Sequence, residues 1–129
     1  MDTPRSARLF LAIGCIAALL AVAFGAFGAH VLKARIAPDL MSVYRTGVEY
    51  HFYHALGLIL VGLAAFQLPG SARLRAAGWT MLAGMVLFSG SLYLLALTGL
   101  RWLGAITPLG GAAFLFAWGL FAAAALGKP

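Results

Sequence analysis

The stretch LFLAIGCIAALLAVAFGAFGAHV, residues Leu9 to Val31, contains only apolar and small residues apart from one histidine near its end. A helix rises 1.5 Å per residue, so this stretch is about 34 Å long, enough to cross the hydrocarbon core of a bilayer, which is about 30 Å thick. Because lipid offers no partners to backbone amides, the segment must satisfy them internally, as an α-helix does. The stretch therefore predicts a membrane-spanning helix. A signal peptide is the alternative, although its apolar core is usually shorter, about 7–15 residues.

Three more apolar stretches follow, and they complete the predicted fold. We expect spans at about residues 9–31, 46–68, 74–97 and 108–126 of a single domain, 1–129. Between the first two spans, residues 33–39 carry charge, and Leu40, Met41 and Tyr44 share an apolar stripe. This stripe indicates a short interfacial helix. The sequence therefore predicts an all-α, four-helix transmembrane bundle with a short interfacial helix before the second span.

The composition of the whole chain points to the same class. Of 129 residues, 64% are apolar and 9% are charged, whereas soluble domains carry about 25% charged residues. A soluble domain this small could not bury so much apolar surface. The net charge of +6 does not indicate nucleic-acid binding, because the basic residues are scattered rather than clustered in a patch. We therefore expect that the protein lies in the lipid bilayer and has no nucleic-acid partner.

The basic residues bear on orientation, because four spans place both termini on one side of the membrane. That side, side A, has Asp2 and the basic residues Arg5, Arg8, Arg73, Arg75 and Lys128. The opposite side, side B, has Lys33, Arg35, Arg45 and Arg101. Since Lys and Arg are enriched in cytoplasmic loops, the small excess on side A predicts that both termini are cytoplasmic.

Polar side chains inside the spans are predicted to gather near side B. The two histidines of the second span lie within about 12 Å of its side-B end by helical rise, and the serines of the third span reach a similar depth. We therefore predict a polar pocket in this half of the membrane, formed by His30, Arg45, Glu49, His51, His54, Ser89, Ser91 and Tyr93. The pocket could hold a lipid or a small molecule.

Arg45 and Glu49 are four residues apart and share one face of the helix. An unpaired charge in a medium of low dielectric constant costs several kcal/mol, so each needs a partner. Two interpretations remain open. The two residues form a buried ion pair that lines the pocket, or they form a structural pair that holds the interfacial helix against the bundle.

The histidines suggest a metal or haem site only weakly. His51 and His54 are three apart on one helix, so they cannot approach one haem from opposite faces; His30 could complete such a pair. No zinc or c-type haem spacing is present, and structural histidines bonded to Ser89, Ser91 or backbone carbonyls are favoured. No nucleophile and base are recognisable. We therefore expect no enzyme activity, no metal and no cofactor.

Four blocks of the chain resemble a known family: GAFGAH at 25–30, TGVEYHFYHAL at 46–56, LFSGSLY at 87–93 and GAITPLGG at 104–111. They are similar, in the same order, to blocks of domain-of-unknown-function family 423. This family includes YgdD-like proteins and, more distantly, animal transmembrane protein 256. The resemblance implies a four-span protein of the bacterial inner membrane with uncharacterised activity. It favours a functional role for His30, Glu49, His54, Ser89 and Tyr93.

Three hypotheses about function remain open. The leading one is a non-enzymatic membrane protein that binds a lipid, a small molecule or a partner through the polar pocket. In one form of this hypothesis the protein is a homo-oligomer. The second is a channel or carrier, which would need several protomers because four short helices enclose little pore. The third is a redox protein that binds haem or a metal.

Overall fold

A computed structural model describes residues 3–127; Asp2 and Lys128, which the orientation prediction uses, lie outside this range. The structure contains four long helices: α1 (Thr3–His30), α2 (Pro38–Gln67), α3 (Ala72–Thr98) and α4 (Thr107–Leu126). Two short 3-10 helices, Leu32–Ala34 and Arg101–Ala105, precede α2 and α4. Each long helix is long and apolar enough to cross a membrane. The predicted all-α, four-helix fold class is confirmed.

The ends of the helices follow from local chemistry. The Ser71 hydroxyl accepts a hydrogen bond from the Leu74 amide at 3.2 Å and so caps α3. Gly99, with φ of +72°, ends α3 in the left-handed conformation that glycine adopts without strain. Pro38 lies at the first turn of α2, where its missing amide hydrogen is not needed. Glycine, proline and serine therefore mark the boundaries as the sequence indicates.

The segment expected as a separate interfacial helix is continuous with the second span. Residues 40–44 form early turns of α2, which runs unbroken from Pro38. The short helix before α2 is instead the 3-10 helix Leu32–Ala34. Met41 and Tyr44 are buried, and the Tyr44 hydroxyl donates a hydrogen bond to the Phe24 carbonyl at 2.5 Å. Because this apolar stripe packs against α1, α2 continues straight into the bundle.

Each long helix packs against its neighbours in the sequence, so that α2 and α3 lie between α1 and α4. Glycines at the contacts bring the backbones close. A Cβ on Gly14 of α1 would lie 2.8 Å from the Ile59 amide nitrogen of α2, and a Cβ on Gly110 of α4 would overlap the Phe88 backbone of α3. Small residues allow such close approach in lipid, where packing replaces the hydrophobic effect between helices.

The core lies between the four helices, and large apolar side chains also cover the outside. The largest apolar side chains that are fully buried are Phe10, Leu58, Leu74, Met81 and Val61. By contrast, Leu19 and Leu115 expose 66% and 78% of their surface. A soluble domain would not present so many such side chains to water. The apolar outer surface therefore faces lipid acyl chains.

We predict that Gly110→Ala destabilises the bundle. The new methyl group meets the Phe88 backbone, which cannot rotate away, so α3 and α4 must separate at a cost of about 1–3 kcal/mol. The control is Gly119→Ala on the same helix, where a Cβ has open space. Thermal unfolding in detergent should show a lower Tm for the first variant only. Equal Tm values for the two variants would contradict the close contact at Gly110.

Candidate functional site

His54 on α2 is buried and faces α4. Its Nδ1 lies 2.7 Å from the Tyr50 carbonyl oxygen, one turn earlier in α2. Its Nε2 lies 3.1 Å from the indole nitrogen of Trp118. Phe114 stacks on the imidazole, with ring centroids 3.4 Å apart and an angle of 6° between the planes. His54 therefore ties α2 to α4.

These partners assign the tautomer of His54. A backbone carbonyl only accepts hydrogen bonds, and an indole N–H only donates them. Nδ1 therefore donates to Tyr50 and Nε2 accepts from Trp118, which makes His54 the neutral tautomer with its hydrogen on Nδ1. Both ring nitrogens are in use. A metal or haem iron could bind this histidine only by displacing one of the two hydrogen bonds.

His51, three residues earlier, lies about 60° away around α2 and faces α1 and α3. Its Nδ1 lies 2.8 Å from the Tyr93 hydroxyl of α3. Phe24 of α1 contacts both rings edge-on, with centroid distances of 6.0 Å to His51 and 5.3 Å to Tyr93. Nearby, the buried Ser89 hydroxyl donates to the Gly47 carbonyl at 2.7 Å. The structure thus brings together His51, Ser89 and Tyr93 at the junction of three helices.

Ser91 belongs to a different contact, between α3 and the start of α4. Its hydroxyl donates to the Phe88 carbonyl at 2.9 Å and lies 2.7 Å from the Thr107 hydroxyl. A threonine directly before a proline, as at Thr107 and Pro108, is typical of a helix start that the threonine caps. In the structure no side chain caps this helix, because the Thr107 hydroxyl is bonded to Ser91.

His30, Arg45 and Glu49 are exposed on the outside of the bundle. In the part of the chain that the structure describes, the one ion pair joins Arg101 Nη2 to Asp39 Oδ2 at 3.0 Å. The expected pairing of Arg45 with Glu49, buried or structural, is therefore absent from the described residues. The eight residues of the predicted pocket are spread over several contacts and surfaces.

A cleft between α1 and α3 lies beside the polar residues His51, Ser89 and Tyr93. The two helices meet through Phe10 and Trp79 at one end, with centroids 5.3 Å apart, and through Phe24 and Tyr93 at the other. Between these aromatic contacts they separate and leave a volume of about 400 Å³. Ligand sites for small molecules begin at about 300 Å³, so the cleft is large enough for one.

The lining of the cleft is almost entirely apolar. The residues are Ile13, Ile16, Ala17 and Leu20 of α1, Leu82, Met85, Val86 and Gly90 of α3, and the trio His51, Ser89 and Tyr93. The trio lies at the side-B end, as its positions along α2 and α3 require. Sequence reasoning missed the apolar residues, because a side chain that lines a cleft looks like one that faces lipid.

Metal ligands do not cluster in the structure. Within residues 3–127, no group of three or more His, Cys, Asp or Glu side chains is placed to hold a metal ion. Cys15 is exposed on α1. The buried polar side-chain atoms of the described residues all have hydrogen-bond partners. The interior chemistry is therefore that of hydrogen bonds between helices.

Four apolar helices joined by these hydrogen bonds define a small multi-pass membrane protein. A family model described as "Protein of unknown function (DUF423)" matches residues 24–111, and the chain belongs to this family. It is 52% identical over 119 residues to UPF0382 membrane protein YwdK of Bacillus subtilis (strain 168), covering 92% of this chain and 97% of the relative.

Two staphylococcal proteins are similar as well. UPF0382 membrane protein SH2409 of Staphylococcus haemolyticus is 45% identical over 111 residues, and SERP0230 of Staphylococcus epidermidis is 44% identical over the same length. Each match covers 86% of this chain and 89% of the relative. No solved structure matches the chain. These relatives confirm the expected family and the membrane class.

We predict that Trp118→Phe destabilises the protein by about 1 kcal/mol, because the buried Nε2 of His54 loses its donor while ring packing is largely kept. Trp79→Phe is the control, since the Trp79 indole N–H has no partner among residues 5–127. Thermal unfolding compares the two variants. In the wild type, nitrogen NMR of labelled histidine should show hydrogen on Nδ1 of His54. A wild-type spectrum with hydrogen on Nε2 would contradict the assigned tautomer.

Proposed function

We propose that the protein is a non-enzymatic binding protein of the membrane, which holds an apolar molecule in the cleft between α1 and α3. The ligand class is a lipid chain or a hydrophobic small molecule. The observation that carries the proposal is the cleft itself. Aromatic contacts close it at both ends, while the helices stay apart between them over about 400 Å³.

The polar trio suggests how a ligand would be oriented. The Ser89 hydroxyl donates to the Gly47 carbonyl, so its oxygen can still accept a hydrogen bond. The Tyr93 hydroxyl, which is bonded to His51, can form one more hydrogen bond. A ligand with an apolar chain and one polar end would place its chain along Ile16 and Val86 and its polar end toward these oxygens. Of the eight residues predicted to form a polar pocket, His51, Ser89 and Tyr93 are therefore part of the proposed ligand site.

The bonding of the interior supports a role in binding rather than in catalysis. His54 uses both ring nitrogens in hydrogen bonds between helices, and Ser91 is bonded to Thr107. A general base or a nucleophile needs a side chain that is free to exchange a proton with a substrate. We therefore propose no enzyme activity and no cofactor.

We also propose that the protein lies in the inner, or plasma, membrane of a bacterium with both termini in the cytoplasm. Arg5, Arg8, Arg73 and Arg75 lie at the ends of α1 and α3 on side A, and the positive-inside rule places such residues in the cytoplasm. A C-terminal fusion to green fluorescent protein should fluoresce, and one to alkaline phosphatase should be inactive. The reverse result would overturn this orientation.

We predict that Gly90→Leu blocks the cleft. A Cβ on Gly90 meets no atom within 4 Å, so the larger side chain enters the cleft without disturbing the backbone. It displaces ligand contacts worth about 1.5–3 kcal/mol, and binding should weaken about tenfold or more. The probe is cis-parinaric acid, an apolar chain with one carboxyl group. Its binding in lipid vesicles is followed by energy transfer from tryptophan.

Gly119→Leu is the matched control, because a Cβ there also has open space and Gly119 does not line the cleft. It takes up the same apolar volume on α4 and should bind the probe like the wild type. Equal energy transfer in the wild type and both variants would show that the probe only dissolves in the lipid, and would rule out the proposed site.

A further inference from the structure

A notch between α1 and α2 at side B contains two charged side chains that have no partner. Gly25 and Ala29 of α1 and Val48 of α2 form its apolar part, and Arg45 and Glu49 line its outer part. Its volume is about 170 Å³, and it shares no residue with the cleft between α1 and α3. Among residues 5–127, neither the Arg45 side chain nor the Glu49 side chain has a hydrogen bond or an ion pair.

The depth of Glu49 makes its exposure costly. The apolar part of α2, about residues 46–68, matches a hydrocarbon core of about 30 Å. Glu49 lies about 5 Å inside the side-B end of this stretch, by a rise of 1.5 Å per residue, and Arg45 lies at its edge. The carboxylate is therefore attached inside the core, whereas the longer Arg45 side chain can reach the interface.

A charge at this depth calls for an opposite charge at a similar depth. A lipid amine lies outside the hydrocarbon core and supplies a partner for Glu49 alone, not for Arg45. A second copy of the chain, inserted in the same direction, carries its own Arg45 one helical turn from the depth of Glu49. Long side chains one turn apart pair between helices in parallel coiled coils.

We infer that the notch is a self-association surface, in which Arg45 of one copy pairs with Glu49 of a second copy. A two-fold axis along the membrane normal makes the pairing reciprocal, because the same patch on each copy presents one positive and one negative group. Gly25 and Ala29 add no charge and leave room for the neighbouring helix to approach. The symmetric pairs neutralise both charges within lipid.

The experiment uses charge reversal in native mass spectrometry of the protein released from vesicles of phosphatidylethanolamine and phosphatidylglycerol. The wild type should give dimers. Arg45→Glu and Glu49→Arg each place like charges across the axis, so each variant alone should dimerise about tenfold more weakly or worse. When the two variants are mixed, the charges again match, and a heterodimer identified by its mass should form. Arg35→Glu, an exposed change on the same side of the membrane, is the control that should stay dimeric.

Circular dichroism and thermal unfolding establish that each reversed variant is folded. If one is not, Arg45→Gln and Glu49→Gln replace the pair. Each alone should weaken the dimer, and mixing them should restore part of it, because the heterodimer keeps one Glu49–Arg45 pair. The inference is overturned if the wild type is monomeric at every protein-to-lipid ratio. It is also overturned if folded variants dimerise like the wild type, or if a monomeric wild type retains phosphatidylethanolamine that Glu49→Gln releases. Binding of cis-parinaric acid, measured separately, reports on the cleft alone.

Discussion

The structure depends on one constraint: in lipid, the protein itself must supply a partner for each polar group. The four helices satisfy their backbones internally, and side chains then bond to neighbouring helices. Tyr44 donates to Phe24, and Ser89 donates to Gly47. The His54 and Trp118 rings join α2 to α4. These bonds hold the helices where apolar side chains, which lipid solvates equally well, could not.

The same constraint explains the division of the interior. His51 and His54 lie about one turn apart, yet they contact different neighbours of α2, His51 toward α1 and α3 and His54 toward α4. Backbone contact at Gly14 joins α1 closely to α2, while aromatic contacts at the two ends of the cleft join α1 to α3. The cleft lies between α1 and α3 because α1 packs mainly against α2, and α3 packs against α2 and α4, rather than closely against each other. Arg45 and Glu49, which form no ion pair among the described residues, lie on the outer surface.

Much of the fold was predictable, because the signals are local. Long apolar stretches predict spans, and Ser71, Gly99 and Pro108 mark helix ends through backbone chemistry that needs no tertiary contact. The predicted site fared differently. Helical rise places His51, His54, Ser89 and Tyr93 at similar depths, but depth does not say which way each side chain points. The Thr107 hydroxyl, expected as a cap, is bonded to Ser91 instead, and residues 40–44 continue α2 because their apolar stripe packs on α1.

The sequence by itself determined the class of protein, the number of membrane-spanning helices and the family. These features depend on hydropathy over about 20 consecutive residues and on short motifs, which are local in the sequence. Only the tertiary structure decided which helices touch, which nitrogen of His54 carries its hydrogen, and where a cleft remains. Those features depend on the rotation of each helix about its axis. That rotation is set by glycine contacts and hydrogen bonds between residues far apart in the chain, whose partners no local pattern specifies.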